Sequence, residues 1–298
     1  MDGQNDIREF LISRRAKLTP GQAGLPDFGG RRRVEGLRRE EVAILAGVST
    51  QYYTRLERGT ATGVSEAVLE GISRALQLDE AEHAHLYDLV RAANEGIHPQ
   101  RRRGPVRTHQ VKPAVQQMLD AMALVPAFVQ NGRLDILATN RLGRALFSEL
   151  YVQPQRPANF ARFVFLDSRA RDFYLDWESA ARQAVELLRT EAGRVPRDRI
   201  LSDLVGELTT RDPLFRTLWA SHDVRDHQAG TKSIHHPVVG DLHLTYEAMQ
   251  LNSDRELTLV AYYAPPGTPT HDGLQLLSAW TVTDAAPEPS VPAGEDAP

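Results

Sequence analysis

Apolar residues recur at spacings of three and four through the first part of the chain, and each such run predicts a helix. Ile7, Phe10, Leu11 and Leu18 form one inward stripe on a helix from Asp6 to Leu18. The stretch from Leu37 to Gly59, LRREEVAILAGVSTQYYTRLERG, predicts two short helices joined by a sharp turn. Val42, Leu45 and Ala46 share a face of the first, and Ala43 is small enough for another helix to cross closely. Gly47 can adopt the left-handed conformation that ends this helix, with Val48 turned inward. Ser49 then caps a second helix, Thr50 to Arg58, whose Tyr53 and Leu56 face back to the first. This is the spacing of a helix-turn-helix. Val68, Leu69, Ile72 and Leu76 place a further helix after Ser65, and a fifth runs from Asp79 to near Ala93.

Residues 94–112 have no periodicity and carry Arg101, Arg102, Arg103 and Arg107, as expected of a basic linker. A helix from Pro113 to Met122 opens a region of different pattern. Ala127 to Val129 and Leu134 to Leu137 flank Asn131-Gly132, whose positive φ suits a tight hairpin turn. Asn140 leads into a helix through Leu150, and the spans Ala170–Ala192 and Arg199–Ala220 are helical by period. Strands are predicted at Thr231–Val239, Leu242–Leu251 and Glu256–Tyr263, because apolar and polar residues alternate there. The expected fold is an all-α five-helix helix-turn-helix domain (1–93), a linker (94–112) and an α+β, PAS-like domain with an antiparallel sheet (113–280). A Pro-, Ala- and acid-rich tail (281–298), expected to be disordered, follows.

Composition narrows the class. With 298 residues, 41% hydrophobic and 25% charged, the chain is long enough for two cores. No apolar run approaches a membrane span, and the start lacks the apolar core of a signal peptide, so a cytoplasmic protein is expected. The absence of cysteine excludes disulfides, thiolate catalysis and cysteine-based zinc sites. Residues 1–112 hold 18 Lys and Arg against 15 Asp and Glu, whereas the remainder holds 17 against 24. A basic first part beside an acidic second part fits a nucleic-acid module joined to one of another kind.

Thr50, Gln51, Thr54 and Arg55 face outward on the second helix of the pair, and Gln and Arg suit bidentate bonds to adenine and guanine in a major groove. Arg31, Arg32, Arg33, Arg38 and Arg39 supply cations beside the first helix, where phosphate contacts would fix the register. The sequence GGRRRVEGLRREEVAILAGVSTQYYTRLERG resembles the DNA-binding domain of XRE-type regulators that carry a C-terminal MmyB-like ligand-binding domain. The stretches FVFLDSRARDFYLDWESAA, LVGELTTRDPLFRTLWASHDVR and HHPVVGDLHLTYEAMQL resemble that second domain, so the likeness covers most of residues 7–278. The resemblance implies base reading by Thr50, Gln51 and Arg55, with Tyr52 and Arg58 nearer the DNA backbone; Ser49 at the helix start is also expected at the backbone. It also implies an Arg15 to Glu57 pair tying the first helix to the recognition helix, and an internal cavity for a fatty-acid-like molecule. Phe163 stands where tryptophan is common in that family.

No GxSxG, HExxH, P-loop or GxGxxG motif is present, so neither catalysis nor a bound cofactor is expected. His83 and His85 lie on different helical faces, and adjacent His235 and His236 would face opposite sides of a strand. A metal site is therefore not expected from them or from His222, His227 and His243. Phe128, Phe163, Phe165, Tyr174, Trp177, Trp219 and Tyr246 come from separate elements and either fill a core or line a cavity, with Ala127 as a wall; both need the same residues on the same faces. In a cavity, His222, Arg225, Lys232 or His235 would meet a carboxylate head group. The leading expectation is a dimeric regulator of double-stranded operator DNA with a small apolar ligand in its C-terminal domain. The alternatives are a C-terminal domain that only dimerises and a fused enzyme.

Overall fold

The computed structural model describes residues 3–26, 34, 36–61, 63–95, 110–152, 157–196, 198–224 and 228–283. The first region is helical: α1 (Gly3–Lys17), α2 (Arg39–Ala46), α3 (Thr50–Glu57), α4 (Glu66–Ala75) and α5 (Glu80–Glu95). Ser49 and Ser65 cap α3 and α4 by accepting the Tyr52 and Val68 amides at 3.1 and 3.4 Å. Gly47 ends α2 at φ +70°. Gly71 permits the α2–α4 crossing, since a Cβ there would lie 2.6 Å from the Ala46 carbonyl oxygen. Ile7, Phe10, Leu11, Val42, Tyr53, Leu56, Ile72 and Leu86 make one continuous core.

The second region contains α6 (Pro113–Ala121), β1 (Ala127–Asn131), β2 (Ile136–Thr139) and α7 (Arg141–Leu146), followed by α8 (Phe160–Leu166), α9 (Arg169–Phe173), α10 (Trp177–Arg194), α11 (Arg199–Arg211) and α12 (Pro213–Ala220). Strands β3 (Ala229–His236), β4 (Gly240–Gln250) and β5 (Leu257–Tyr263) and helix α13 (Pro269–Thr283) complete it. All five strands join one antiparallel sheet in the order β2-β1-β5-β4-β3, with helices packed on it in the α+β, PAS-like manner.

Three local departures from the sequence pattern have physical causes. In the β1–β2 turn the left-handed residue is Leu134, at φ +66°, rather than Asn131 or Gly132. The Asn131 side chain holds that turn by accepting the Arg133 and Asp135 amides, both at 3.0 Å. Gly132 is needed for space, because a Cβ there would collide with the Glu191 carboxylate on α10. The span Ala170–Ala192 is not one helix: Tyr174 leaves it to bridge Ile234, and Leu175 donates to the Ser233 carbonyl at 3.1 Å. Asp176 then caps α10. Arg199–Ala220 likewise breaks, at Pro213, which lacks the amide to continue α11 and starts α12 under the Asp212 cap. Helix α13 and helix α8 are additions that the periodicity did not signal.

The two regions touch through α5 against α10 and through a polar cluster. Arg14 of α1 binds Glu82 of α5, the His222 carbonyl and Asp223, while Lys17 also binds Asp223. Val224, from the loop after α12, is buried in the core of the helical region.

Candidate DNA-binding surface and ligand cavity

The outer face of α3 is set by its inner one. Tyr53, Leu56 and Glu57 are buried, so Gln51, Arg55 and Arg58 point to solvent together with Thr50 at the helix start. Ser49 and Arg38 are also exposed, Tyr52 is half-buried, and the Arg55 guanidinium lies 5.1 Å from the Tyr52 ring centre. Glu57, only 1% exposed, accepts from Arg15 at 2.8 and 3.2 Å and from Arg39 at 2.8 Å. Arg15 also donates to the Leu37 carbonyl at 2.7 Å, so one guanidinium fixes α1, α3 and the start of α2. Arg39 was expected to face phosphate, and its bond to Glu57 is a second role that spacing did not reveal. Arg31, Arg32 and Arg33, and the linker arginines, lie outside the described residues, as do Arg225 and His227.

Between the sheet and α10 lies a cavity of about 730 Å³, within the range of small-molecule sites and far beyond a void for a few waters. It exists because small residues oppose each other: Ala180 and Ala184 on α10 face Ala248 and Val260 on the sheet. Ala180, Gln183, Ala184, Leu187, Thr190 and Arg194 form one helical stripe along it, about 21 Å long at about 1.5 Å per residue.

The end nearest the start of α10 is aromatic. Lys232 of β3 projects there among Tyr174, Tyr246 and Tyr262, with its Nζ 5.5 Å from the Tyr174 ring centre and 5.9 Å from that of Tyr246. It donates to Gln183 Oε1 at 2.7 Å, and Gln183 in turn donates to the Tyr246 hydroxyl at 2.6 Å. Burial pushes the Lys232 ammonium down to about 8, and burial also raises the three tyrosines. Among the described residues no carboxylate pairs with Lys232, which is half-buried and lines the cavity. The opposite end is polar, with Gln130, Gln250, Thr258 and Arg194, and is closed in part by α5.

Of the pocket residues expected from sequence, the structure brings Phe128, Tyr174, Lys232 and Tyr246 to this cavity and leaves the other described ones elsewhere. Phe163, Phe165, Trp177 and Trp219 fill the packing between helices. Phe163 meets Phe173 at 5.6 Å, Phe165 meets Phe215 at 5.0 Å, and Trp219 stacks on Phe215 at 5.6 Å. The Trp177 indole donates to the Val164 carbonyl at 2.9 Å. Ala127 lies on the other sheet face with Val129 and Leu119, so it is no wall of the cavity. His235 is exposed and bonds Asp241 at 2.6 Å. His222 sits at the contact between the two regions, where its Nδ1 accepts from Arg189 at 2.9 Å and its Nε2 faces Glu9 at 3.1 Å. Burial, then Arg189 and Arg14, lower it to about 3, so it is neutral at pH 7. His236 donates through Nε2 to the Ala145 carbonyl and accepts the Val238 amide, a structural role. Among the described residues no group of three or more His, Asp or Glu side chains is disposed to hold a metal ion. Gln183, Tyr262 and Ala248 are cavity residues that sequence reasoning missed, since only the sheet register and the α10 stripe bring them together.

Residues 111–277 match the family described as the MmyB-like transcription regulator ligand binding domain. The chain belongs to the MmyB-like transcription regulators. Residues 14–86 match a helix-turn-helix domain, so this MmyB-like regulator joins a DNA-binding region to a ligand-binding one. A comparison with curated proteins found no significant match. No helix among the described residues is long and apolar enough to cross a membrane.

Proposed function

We propose that this MmyB-like regulator binds a pseudo-palindromic operator as a homodimer, and that an apolar carboxylic acid of the fatty-acid class occupies its cavity and changes its affinity for DNA. The observation that carries the ligand reading is Lys232, a half-buried cation that lines the cavity among Tyr174, Tyr246 and Tyr262 with no carboxylate partner among the described residues. A buried ammonium is unfavourable unless paired, and a ligand carboxylate supplies the partner and two acceptor oxygens. Ala184 and Leu187 of α10, with Val260 and Ala248 of the sheet, then receive the tail. Thr50, Gln51 and Arg55 read bases from α3, while Ser49, Arg38, Tyr52 and Arg58 hold the DNA backbone, joined by Arg31, Arg32 and Arg33. The protein acts by binding rather than turnover, and it acts in the cytoplasm.

The thermal midpoint of the full-length protein, measured against rising palmitate, tests the ligand reading. It rises with the logarithm of free palmitate above the dissociation constant, and Ala248→Trp, which fills the cavity, removes the shift while the protein stays folded. An unchanged midpoint in the wild-type protein at saturating palmitate contradicts it.

A further inference from the structure

The match to a ligand-binding domain begins at residue 111, yet the cavity wall extends to residues far earlier in the chain. At the C-terminal end of the α10 stripe the cavity is bounded by Ala81, Ala84 and His85 of α5. Helix α5 packs with α1 and α4 in the region matched as helix-turn-helix. Gly193 lets α5 and α10 approach, since a Cβ there would lie 2.5 Å from His85 Cε1. His85 is 3% exposed, and its Nδ1 has no hydrogen-bond partner among the described residues.

We propose that the ligand site is shared between the two regions, with α5 of the DNA-binding region forming its far wall and setting the length of acyl chain that fits. The inference rests on the reading of the cavity as a carboxylate site. The orientation follows from charge. Lys232 holds the head group at the aromatic end, whereas Glu80 and Asp88 flank the α5 end and disfavour a second anion there. Arg194, the cation at that end, is already bound to Glu191 at 2.8 Å.

The stripe converts this orientation into a length. From Gln183, beside Lys232, to Thr190 is about 10 Å, and to Gly193 about 15 Å, at about 1.5 Å per helical residue. An extended chain advances roughly 1.3 Å per methylene, from a C–C bond of about 1.5 Å. Acids of about ten carbons therefore stop short of α5, and acids of about fourteen or more press against Ala81 and Ala84.

The test is calorimetric binding of decanoate and palmitate to the full-length protein and to its Ala81→Leu and Ala84→Leu variants. Leucine preserves helix propensity and extends the side chain into the cavity. The dissociation constant for palmitate rises roughly tenfold or more, the size of an overpacking penalty, while that for decanoate changes by less than about twofold. Retained decanoate binding also shows that each variant is folded. A second measurement needs no variant: palmitate, but not decanoate, slows amide hydrogen exchange in α5 of the wild-type protein. If both acids bind the wild-type protein but α5 exchange is equal with either, and the variants bind palmitate unchanged, the shared wall is overturned and the carboxylate site stands. If neither acid binds the wild-type protein, the carboxylate reading itself fails.

Discussion

Lys232 is the residue on which the ligand reading turns, and its protonation supplies a sign that can be checked. Its folded value of about 8 lies below the ordinary 10.5, so the unfolded chain binds more protons between those limits. The ligand-free protein is therefore destabilised by the full penalty below about pH 8, and stability contributed by this group recovers as pH rises toward 10.5. The groups facing it are Gln183, Tyr174, Tyr246 and Tyr262, and burial raises all three tyrosines above their ordinary value. Anionic ligand requires the ammonium, so palmitate affinity is flat below about pH 8 and falls by up to tenfold per unit above it. Titrations between pH 6.5 and 9.5 check this, and Lys232→Met should abolish the pH dependence, weaken palmitate and raise the thermal midpoint of the free protein. Glu57 makes a second residue-scale prediction. Removing it leaves Arg15 and Arg39 without their shared carboxylate, so Glu57→Ala should lower stability by about 3 kcal/mol or more. Denaturant unfolding that matches wild type would show the pair to be dispensable. The Arg15 partner was indicated by family resemblance, but Arg39 was not, since nothing in the spacing distinguishes a cation aimed at phosphate from one turned back on a buried glutamate.

At the scale of elements, α3 was legible because a glycine stop, a serine cap and two inward apolar positions suffice to orient a short helix. Arg55→Ala should accordingly cost about 1 to 3 kcal/mol on the selected operator and leave non-specific DNA binding nearly unchanged, measured by fluorescence anisotropy at fixed salt. Equal losses on both DNAs would remove Arg55 from base reading. Gly71→Ala forces a Cβ against the Ala46 carbonyl, and should destabilise the α2–α4 crossing by about 1 to 3 kcal/mol. The other half of the chain was less legible for a definite reason. Periodicity marks Ala170–Ala192 as helix throughout, but it cannot show that Tyr174 leaves the helix to pair with Ile234 and so brings its ring beside Lys232. Aromatic residues carry the same ambiguity: Phe128 borders the cavity while Phe163, Phe165, Trp177 and Trp219 pack between helices, and only the register separates them.

For the whole molecule, the contact between the two regions is the feature least visible in sequence, because it unites residues 14, 82, 189 and 222. Neighbouring arginines on α1 divide the work: Arg14 binds α5 and the loop after α12, and Arg15 binds α3. Arg189, lowered by burial to about 10 and still charged at pH 7, completes the contact through His222 and the Trp219 carbonyl. A ligand that presses on α5 therefore acts on a helix whose partner α1 also holds α3, and coupling of this kind is typically about 1 to 3 kcal/mol. Arg14→Ala should uncouple the two regions, leaving palmitate bound but without effect on DNA.

The most direct measurement is the dissociation constant of the full-length protein for a DNA fragment that it selects from genomic fragments, at fixed salt, with and without saturating palmitate. A change of roughly 5- to 150-fold is expected in the wild-type protein, and none in Lys232→Met. An identical constant with and without palmitate, in wild-type protein shown by calorimetry to be saturated, would contradict it.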